Sequence, residues 1–379
     1  MFKKIMCILL SVLVIFNCTL VLAYDKNTLY SKSAILGDSR SDVIMFEHNA
    51  DEKLPIASMT KIMTMLLTME AIDSGRININ DIVVVSENAA KKEGSHVYLS
   101  AGENISVDDL LKAVAVASGN DAAMALAECV GGSIEEFVNM MNKRAKELGM
   151  NNTNFVNCNG LDDSNHYSSA RDVYIMTKEL LKHEKITKYT TIWMDTLRDG
   201  TFGLSNTNKL VRHYDGTTGV KTGSTSVAGF CVSASALRNN MHLISVVVGA
   251  DTSQHRFADA SNLLNYGFNT YKTINKGKKG QVHKYIEIEK SKNKLYAVTY
   301  GNDLSFICPK SLKEEEVKAE EKLNTSLKAP VKKGTKAGEI IYTHNGTVLA
   351  KTDLVIKDDA EKIDVFFALA KIMAKVIEI

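Results

Sequence analysis

Apolar and polar residues recur along the chain with two different periods, and these periods predict its helices and strands. Residues 34–48 contain two short apolar runs around a polar turn, which predicts a β-hairpin. Residues 58–75 carry apolar side chains almost all round a helical wheel, which is typical of a helix buried on most sides. Residues 107–148 contain three more segments with helical spacing, the first two separated by the tripeptide 118–120. The first half of the chain is therefore predicted to be rich in helix.

After residue 211 the apolar residues alternate with a period of two, which predicts strands. Two such runs, residues 229–238 and 242–250, are bounded by glycine and polar residues, and residues 258–266 return to a helical pattern. Strands at both ends of a helical block predict one α/β or α+β domain, whose sheet is assembled from distant segments. We assign this domain to residues 24–273.

The composition changes at residues 274–280, a lysine- and glycine-rich segment that predicts a flexible boundary. Beyond it, residues up to 357 alternate apolar and polar positions with turn signals such as Asn345-Gly346. This pattern predicts a small antiparallel all-β domain over residues 274–357. We expect no helix in it longer than the charged stretch 311–323.

Residues 358–379 begin with acidic residues and contain no helix breaker, which predicts a helix. On a helical wheel drawn from Ile363, apolar side chains cover all but one narrow sector, which holds Asp364, Lys371, Lys375 and Glu378. A helix this apolar either packs on a protein surface or lies in a membrane interface. Its position at the terminus, after a separate domain, favours an amphipathic membrane-anchoring helix.

The N-terminus has the pattern of a secretory signal peptide. Lys3 and Lys4 precede an apolar run over residues 5–16, and the segment ends in small or apolar residues at Val21 and Ala23. We expect cleavage after Ala23, so that residues 1–23 are removed and the rest is exported. The alternatives are an uncleaved membrane anchor, for which the run is short, and lipidation at Cys18.

The charge balance excludes one class of partner. Lys plus Arg number 46 and Asp plus Glu number 44, so the whole chain gives no reason to expect nucleic-acid binding. Residues 274–357 are more basic than the chain as a whole, with 17 lysines against 10 acidic residues. We expect that domain to face anionic lipid or wall polymer beside the terminal helix.

Four cysteines follow the leader: Cys129, Cys158, Cys231 and Cys308. We interpret them as buried small apolar residues, with one bonded pair as the alternative. No Cys-x-x-Cys or His-Glu-x-x-His spacing occurs, so we predict no metal site, and nothing calls for an organic cofactor.

Ser58 and Lys61 are candidates for nucleophilic chemistry at the start of the buried helix. Lys61 is three positions after Ser58, about one helical turn, so both side chains project from one face of a helix. A serine hydroxyl needs a base to take its proton, and a lysine serves as that base only where its pKa is lowered. Ser291 and Lys294 have the same spacing with no helix behind them, so the motif alone is weakly specific.

Two further motifs accompany this pair. Ser118-Gly119-Asn120 lies between two predicted helices, where Asn120 could instead cap the second helix. Lys221-Thr222-Gly223 directly precedes a predicted strand, where a lysine meets a carboxylate and a glycine permits close approach of a substrate backbone. The simpler interpretation of the second motif is a turn.

The order of the three motifs resembles that of active-site-serine penicillin-binding proteins and class A β-lactamases. Longer segments make the resemblance specific to the low-molecular-mass penicillin-binding proteins, the serine-type D-alanyl-D-alanine carboxypeptidases of the S11 type. These segments are LPIASMTKIMT (54–64), HYSSARD (166–172), NTNKLV (206–211), GVKTGSTSVAGFC (219–231) and RFADASNLLNYGF (256–268). The resemblance implies a penicillin-binding-protein/β-lactamase-like transpeptidase fold, followed by the small all-β domain and the terminal helix.

The resemblance also implies a role for each matching residue. Ser58 is the expected nucleophile, Lys61 its base, and Ser118 a relay of the proton to the leaving amine. Asn120 and Lys221 bind substrate, and the backbone N–H groups of Ser58 and Ser224 form an oxyanion hole. Thr222, beside Gly223, is expected to grip the terminal carboxylate of the peptide together with Arg256, whose alternative role is a surface salt bridge.

The implied reaction is removal of the terminal D-Ala from peptidoglycan stem peptides, at the outer face of the cytoplasmic membrane, with β-lactams as covalent inhibitors. Residues 157–161 depart from the Asn-Pro-His-Gly-Leu of many members, and we expect this to affect fine specificity rather than chemistry.

One alternative is a class A β-lactamase, but no Glu-x-x-Leu-Asn segment stands between the second and third motifs. The other is a non-catalytic β-lactam sensor or wall-binding protein.

Overall fold

The computed structural model describes residues 28–324 and 326–377. The predicted signal peptide, residues 1–23, lies outside the described residues. The chain divides into two compact units between Thr270 and Tyr271.

The first unit contains both strands and helices. Its strands are β1 (Ser33–Asp38), β2 (Ile44–His48), β3 (Ile82–Val84), β4 (Asn104–Ser106), β5 (Met194–Leu197), β6 (Phe202–Ser205), β7 (Thr217–Thr225), β8 (Gly229–Arg238) and β9 (Met241–Ala250). Its helices are α1 (Lys61–Asp73), α2 (Glu87–Ala90), α3 (Val107–Lys112), α4 (Asn120–Gly131), α5 (Ile134–Glu147), α6 (Ala170–Leu180), α7 (Thr187–Thr190), α8 (Leu210–His213) and α9 (Ser253–Thr270). A 3₁₀ turn, Ala57–Thr60, leads into α1, and a π-helical turn, Ala113–Ala117, continues α3.

The central sheet has five antiparallel strands in the order β2-β1-β9-β8-β7. Strand β1 pairs with β9, so that Ala34 lies opposite Val247. The sheet therefore joins segments from opposite ends of the domain, as the sequence predicts. Strand β7 occupies an edge, which leaves one side of its backbone unpaired within the sheet.

Helices cover both faces of this sheet. Leu36 of β1 meets Gly267 of α9, while the next residue, Gly37, lies against the ring of Tyr174 in α6. Successive residues of a strand point to opposite faces, so α9 and α6 lie on opposite sides of the sheet. Helix α1 is buried on almost every side, as its apolar pattern predicts, and its side chains contribute much of the core.

The second unit is built mainly from antiparallel strands. Its elements are β10 (Tyr271–Gly277), β11 (Val282–Ile286), β12 (Tyr296–Tyr300), β13 (Leu304–Pro309), β14 (Lys318–Leu323), β15 (Lys336–His344), β16 (Thr347–Ile356) and the helix α10 (Val365–Ile377). Five strands form a sheet in the order β11-β12-β16-β15-β14, and β10 pairs with β13. Val298, Ile340 and Leu354 lie in its core.

One expectation about residues 274–357 was wrong, whereas in their described part no helix is longer than the stretch 311–323, as expected. The lysine- and glycine-rich segment begins as a strand rather than a flexible linker, because the buried Ile274 of β10 packs with Phe306 and Cys308. The charged stretch 311–323 contains a short 3₁₀ turn, Glu314–Glu316, and then β14. Pairing of the β14 backbone with β15 outweighs the helix propensity of its Lys, Ala and Glu residues.

The terminal helix is shorter than the sequence pattern suggests. Ala360 is held by backbone hydrogen bonds to Val331 in both directions, so the chain before residue 364 follows the β domain. Asp364 accepts a hydrogen bond of 2.8 Å from the Phe367 N–H, and α10 begins at Val365. An acidic residue thus marks the helix start, as predicted.

All four cysteines of the described chain are unbonded. Cys158, Cys231 and Cys308 are buried, and Cys129 is half-buried. The interpretation as small core residues therefore holds for three of them, and the alternative of a bonded pair does not.

Candidate active site

Ser58 lies in the 3₁₀ turn just before α1, and Lys61 is the first residue of the helix. The sequence pattern placed Ser58 within the helix itself. The 3₁₀ turn brings the two side chains together just as a helix would, because both still project from one face. Ser58 is half-buried, whereas Lys61 has no exposed surface. Ser58 is therefore partly accessible to solvent, whereas Lys61 is not.

The Lys61 ammonium is surrounded by oxygen atoms. Its Nζ lies 2.8 Å from Ser58 Oγ, 2.6 Å from Asn120 Oδ1 and 2.9 Å from the carbonyl oxygen of Asn159. A longer hydrogen bond of 3.4 Å reaches Ser118 Oγ. Burial lowers the pKa of Lys61 to about 7, because the charged form loses its hydration. Lys61 is therefore able to hold or release a proton beside Ser58 near neutral pH.

Ser118 and Asn120 meet Lys61 from the junction of two helices. Ser118 has a left-handed backbone, with φ of +62°, which ends the π-helical turn and turns its side chain toward Lys61. Asn120 does not cap α4: its Oδ1 accepts from Lys61 and its Nδ2 donates to the Glu93 carbonyl. Asp121 instead binds a loop, accepting backbone hydrogen bonds from Val97 and Leu99.

The Lys221-Thr222-Gly223 motif lies inside the edge strand β7, not before a strand. Lys221 is buried, and its Nζ donates to the Thr222 carbonyl oxygen at 2.9 Å. Burial, and then the positive charges of Lys61 and Arg256, hold the pKa of Lys221 well below its usual value. Thr222 Oγ1 donates to Thr207 Oγ1 at 2.8 Å, which connects β7 with the 206–211 segment.

Gly223 sets the distance between β7 and the turn that carries Ser58. A methyl group added at this position would lie 2.8 Å from the Ile56 carbonyl oxygen, 2.9 Å from Ser58 N and 3.0 Å from Met59 N. Such distances are too short for any side-chain carbon. The glycine is therefore required for the close approach of the two backbones.

Arg256 lies behind the edge strand, on α9. Its Nη1 donates to the Gly223 carbonyl at 3.1 Å and to the Cys231 carbonyl at 3.3 Å. Burial lowers the pKa of the guanidinium to about 10. Arg256 is thus no surface salt bridge, and its charge is directed to the Lys221-Thr222-Gly223 strand. Ser224, the next residue of β7, has an exposed side chain.

The 157–161 loop lies directly on the nucleophile, which the sequence did not indicate. The Asn159 carbonyl accepts from Lys61, and the Cys158 carbonyl accepts from Thr64 Oγ1 of α1. Gly160, with φ of +86°, packs so closely that an added methyl group would lie 1.9 Å from the Ala57 carbonyl oxygen. The contact with Lys61 was not predictable from the sequence, because nothing in the loop's local pattern encodes contact with residues about 100 positions away, and the expected effect of this loop on fine specificity stays a prediction.

Other candidate groups do not assemble a second site. Ser291 Oγ lies within hydrogen-bond distance of the Ile288 and Asn293 carbonyl oxygens, one of which accepts its single hydrogen, while Lys294 lies on the surface 3.9 Å from Glu287. Within residues 28–324 and 326–377, no group of three or more His, Cys, Asp or Glu side chains is arranged to hold a metal ion.

Comparison with known proteins identifies the family to which the chain is similar. The family model described as D-alanyl-D-alanine carboxypeptidase matches residues 21–252, and the model described as penicillin-binding protein 5, C-terminal domain, matches residues 268–362. D-alanyl-D-alanine carboxypeptidase DacF of Bacillus subtilis is 44% identical over 335 residues, covering 88% of this chain and 86% of the relative. DacC of Escherichia coli is 35% identical over 346 residues, covering 88% and 84%.

A solved structure extends the match to both domains. Penicillin-binding protein 5 of Haemophilus influenzae superposes with a TM-score of 0.73 at 33% identity, covering 88% of this chain and 98% of that one. The fold is accordingly that of penicillin-binding protein 5, with an α/β catalytic domain and an all-β C-terminal domain. The chain belongs to the S11 family of D-alanyl-D-alanine carboxypeptidases.

Proposed function

We propose that this protein is a serine D-alanyl-D-alanine carboxypeptidase that removes the terminal D-Ala from peptidoglycan stem pentapeptides through an acyl-enzyme. The observation that carries the proposal is the 2.8 Å contact between Ser58 Oγ and Lys61 Nζ, with Lys61 buried. A buried lysine with a pKa of about 7 is the base that a serine nucleophile needs. Family membership supports the choice of D-Ala-D-Ala as substrate.

Acylation begins when neutral Lys61 takes the Ser58 proton. The Ser58 oxygen attacks the carbonyl carbon of the penultimate D-Ala, and the carbonyl oxygen becomes an oxyanion. The backbone N–H groups of Ser58 and Ser224 stabilise this oxyanion. The C–N bond then breaks, and Ser118 passes the proton from Lys61 to the amine of the leaving D-Ala. The 3.4 Å contact between Lys61 and Ser118 supports this relay.

The remaining residues hold the substrate. Asn120, already hydrogen-bonded to Lys61, binds the peptide amide, and Thr222 with Arg256 binds the terminal carboxylate. Lys221 adds positive charge to the same region. Water then attacks the ester carbonyl, giving its proton to the base, and the C–O bond to Ser58 breaks with return of a proton to the serine.

β-Lactams are expected to acylate Ser58, because their strained amide resembles the D-Ala-D-Ala terminus. The absence of a Glu-x-x-Leu-Asn segment between residues 120 and 221 argues against efficient deacylation of the resulting complex, and so against a β-lactamase. The contacts among Ser58, Lys61 and Asn120 argue against a sensor that has lost its chemistry.

The direct test measures D-Ala release from a peptide ending in Lys-D-Ala-D-Ala and labelling by a fluorescent penicillin. We expect both in the native protein and neither in Ser58→Ala. Ser291→Ala is the matched control, because it removes the serine of the other Ser-x-x-Lys sequence and should leave both activities unchanged. Labelling that survives Ser58→Ala, or a native protein that releases no D-Ala, would rule out the mechanism.

The proposed location is the outer face of the cytoplasmic membrane, reached by export and held through α10. Four apolar side chains of that helix are exposed: Val365, Phe366, Leu369 and Met373. Three of them are spaced four residues apart and so lie on one face, a pattern that favours an interfacial helix. In the described part of the chain, no helix has both the length and the apolar content needed to cross a bilayer.

Deletion of residues 365–379 tests the anchor. We expect the shortened protein to leave the membrane fraction while keeping its penicillin labelling. Phe366→Asp with Leu369→Asp is a milder version that retains the length of the chain. If both variants stayed in the membrane fraction, the attachment would be assigned to an uncleaved leader. If membrane binding did not change with salt concentration, the basic β domain would have no part in it.

A further inference from the structure

Ala57, the residue before the proposed nucleophile, has an unusual backbone. Its φ is +46°, in the left-handed region that residues other than glycine rarely adopt. Such a conformation costs energy and persists only where neighbouring groups hold it. The conformation of Ala57 determines where the next residue, Ser58, places its hydroxyl. The groups that hold Ala57 therefore control the geometry of the site.

Thr60 holds the turn from within. Its Oγ1 donates to the Ala57 carbonyl oxygen at 2.9 Å and also lies 2.7 Å from His166 Nε2. A hydroxyl has one hydrogen, and a carbonyl oxygen only accepts. The hydroxyl hydrogen therefore belongs to Ala57, and the threonine oxygen must accept from His166. Both side chains are buried.

The other ring nitrogen of His166 independently requires the same tautomer. The Val156 N–H donates to His166 Nδ1 at 3.2 Å, so Nδ1 carries no hydrogen and Nε2 carries it. The hydrogen bonds therefore all run in one direction: Val156 donates to His166, His166 donates to Thr60, and Thr60 donates to Ala57. Only the neutral imidazole satisfies this chain, and burial lowers the pKa of His166 to about 4.

We infer that His166 is a positioning residue, which orients Ser58 for attack through Thr60 and the Ala57 carbonyl. Its ring nitrogens bond to Thr60 and Val156 rather than to Ser58 or Lys61. Because Thr60 directly precedes Lys61, the same hydrogen bonds also hold the start of the helix that carries the base. The inference rests on the proposed function, since it assigns an effect on the acylation step.

The test compares substitutions that break the chain with substitutions that keep it. His166→Leu and Thr60→Val each remove the hydrogen bonds at similar volume. We expect each to lower kcat and the rate of penicillin acylation about 10-fold to 100-fold, as misplaced reacting groups do, with KM changed less than about 2-fold. His166→Gln places an amide donor near Nε2, and Thr60→Ser keeps the hydroxyl, so both should recover most of the rate.

The double variant gives the sharpest result. Since both residues act through one chain, His166→Leu combined with Thr60→Val should be no slower than the slower single variant. Thr68→Val is the matched control: Thr68 is buried on the same helix, and its hydroxyl donates only to the Thr64 carbonyl of that helix. Its acylation rate should equal that of the native protein.

Several results would overturn the inference: native acylation in both breaking variants, additive effects in the double variant, or a raised KM with unchanged kcat. If His166→Leu fails to fold by circular dichroism, Thr60→Val against Thr60→Ser decides the question. A native protein that neither releases D-Ala nor binds penicillin overturns the proposed function together with this role. An active native protein with unaffected variants overturns the positioning role alone.

Discussion

Lys61 Nζ lies 2.8 Å from Ser58 Oγ, and the lysine is removed from water while the serine is partly exposed. Desolvation disfavours the charged ammonium, so the pKa of Lys61 falls to about 7. These properties support the proposed roles of Lys61 as base and Ser58 as nucleophile.

This pKa predicts the pH dependence of acylation. Lys61 must be neutral to take the Ser58 proton, so the rate should rise as pH increases through about 7 and level off above it. The measurement is the rate of fluorescent-penicillin labelling from about pH 5 to about pH 9, the range that brackets this titration. Lys61→Arg should not be labelled at any of these pH values, because a guanidinium stays charged. A rate that is independent of pH in the native protein would contradict the assignment of the base.

The contact between Gly223 and the Ser58 turn predicts loss of activity on adding one carbon atom. Gly223→Ala should push β7 away from the turn and lower acylation by about 100-fold or more. Gly203→Ala is the matched control, since Gly203 also lies in a strand and has open space around its Cα. Labelling rates of the two variants provide the comparison, and equal rates would mean that the backbone approach is unimportant.

Gly160 combines a left-handed backbone with a severe steric restriction. Gly160→Ala should destabilise the protein by more than the about 1–2 kcal/mol that the backbone conformation alone costs, and it should also slow acylation. Gly149→Ala measures the free-energy cost of the left-handed backbone alone, because Gly149 has φ of +75° and a Cβ added there would have no neighbouring atom within 4 Å. Urea unfolding of both variants measures the difference in free energy, and similar losses would show that the loop moves aside at little cost.

The position of Arg256 predicts that the protein prefers peptides whose terminal carboxylate is free. If the guanidinium contributes to carboxylate binding through β7, Arg256→Gln should reduce the preference for Lys-D-Ala-D-Ala over its C-terminal amide by about 10-fold, the effect of one charged hydrogen bond. The ratio of kcat/KM for the two peptides is the measurement. An unchanged ratio, with both peptides slowed equally, would indicate that Arg256 only supports the strand through the Gly223 carbonyl.

Local patterns in the sequence were sufficient to predict many of the helices and strands. The runs at 229–238 and 242–250 correspond to β8 and β9, and the all-round apolar segment corresponds to the buried α1. Periodicity reports how a segment meets its surroundings, so it identifies strands and buried helices reliably. The same information does not identify β14, where pairing with β15 determines the structure of residues with high helix propensity.

Sequence order also predicts which residues carry the chemistry, because the motifs of Ser58, Ser118 and Lys221 occur in the order typical of the family. Their chemical properties depend on contacts between distant segments. The lowered pKa of Lys61 comes from its burial, and the Asn159 carbonyl and the His166 imidazole reach the site from about 100 positions away. Burial and hydrogen-bond direction are properties of the packed chain, and therefore no local pattern contains them.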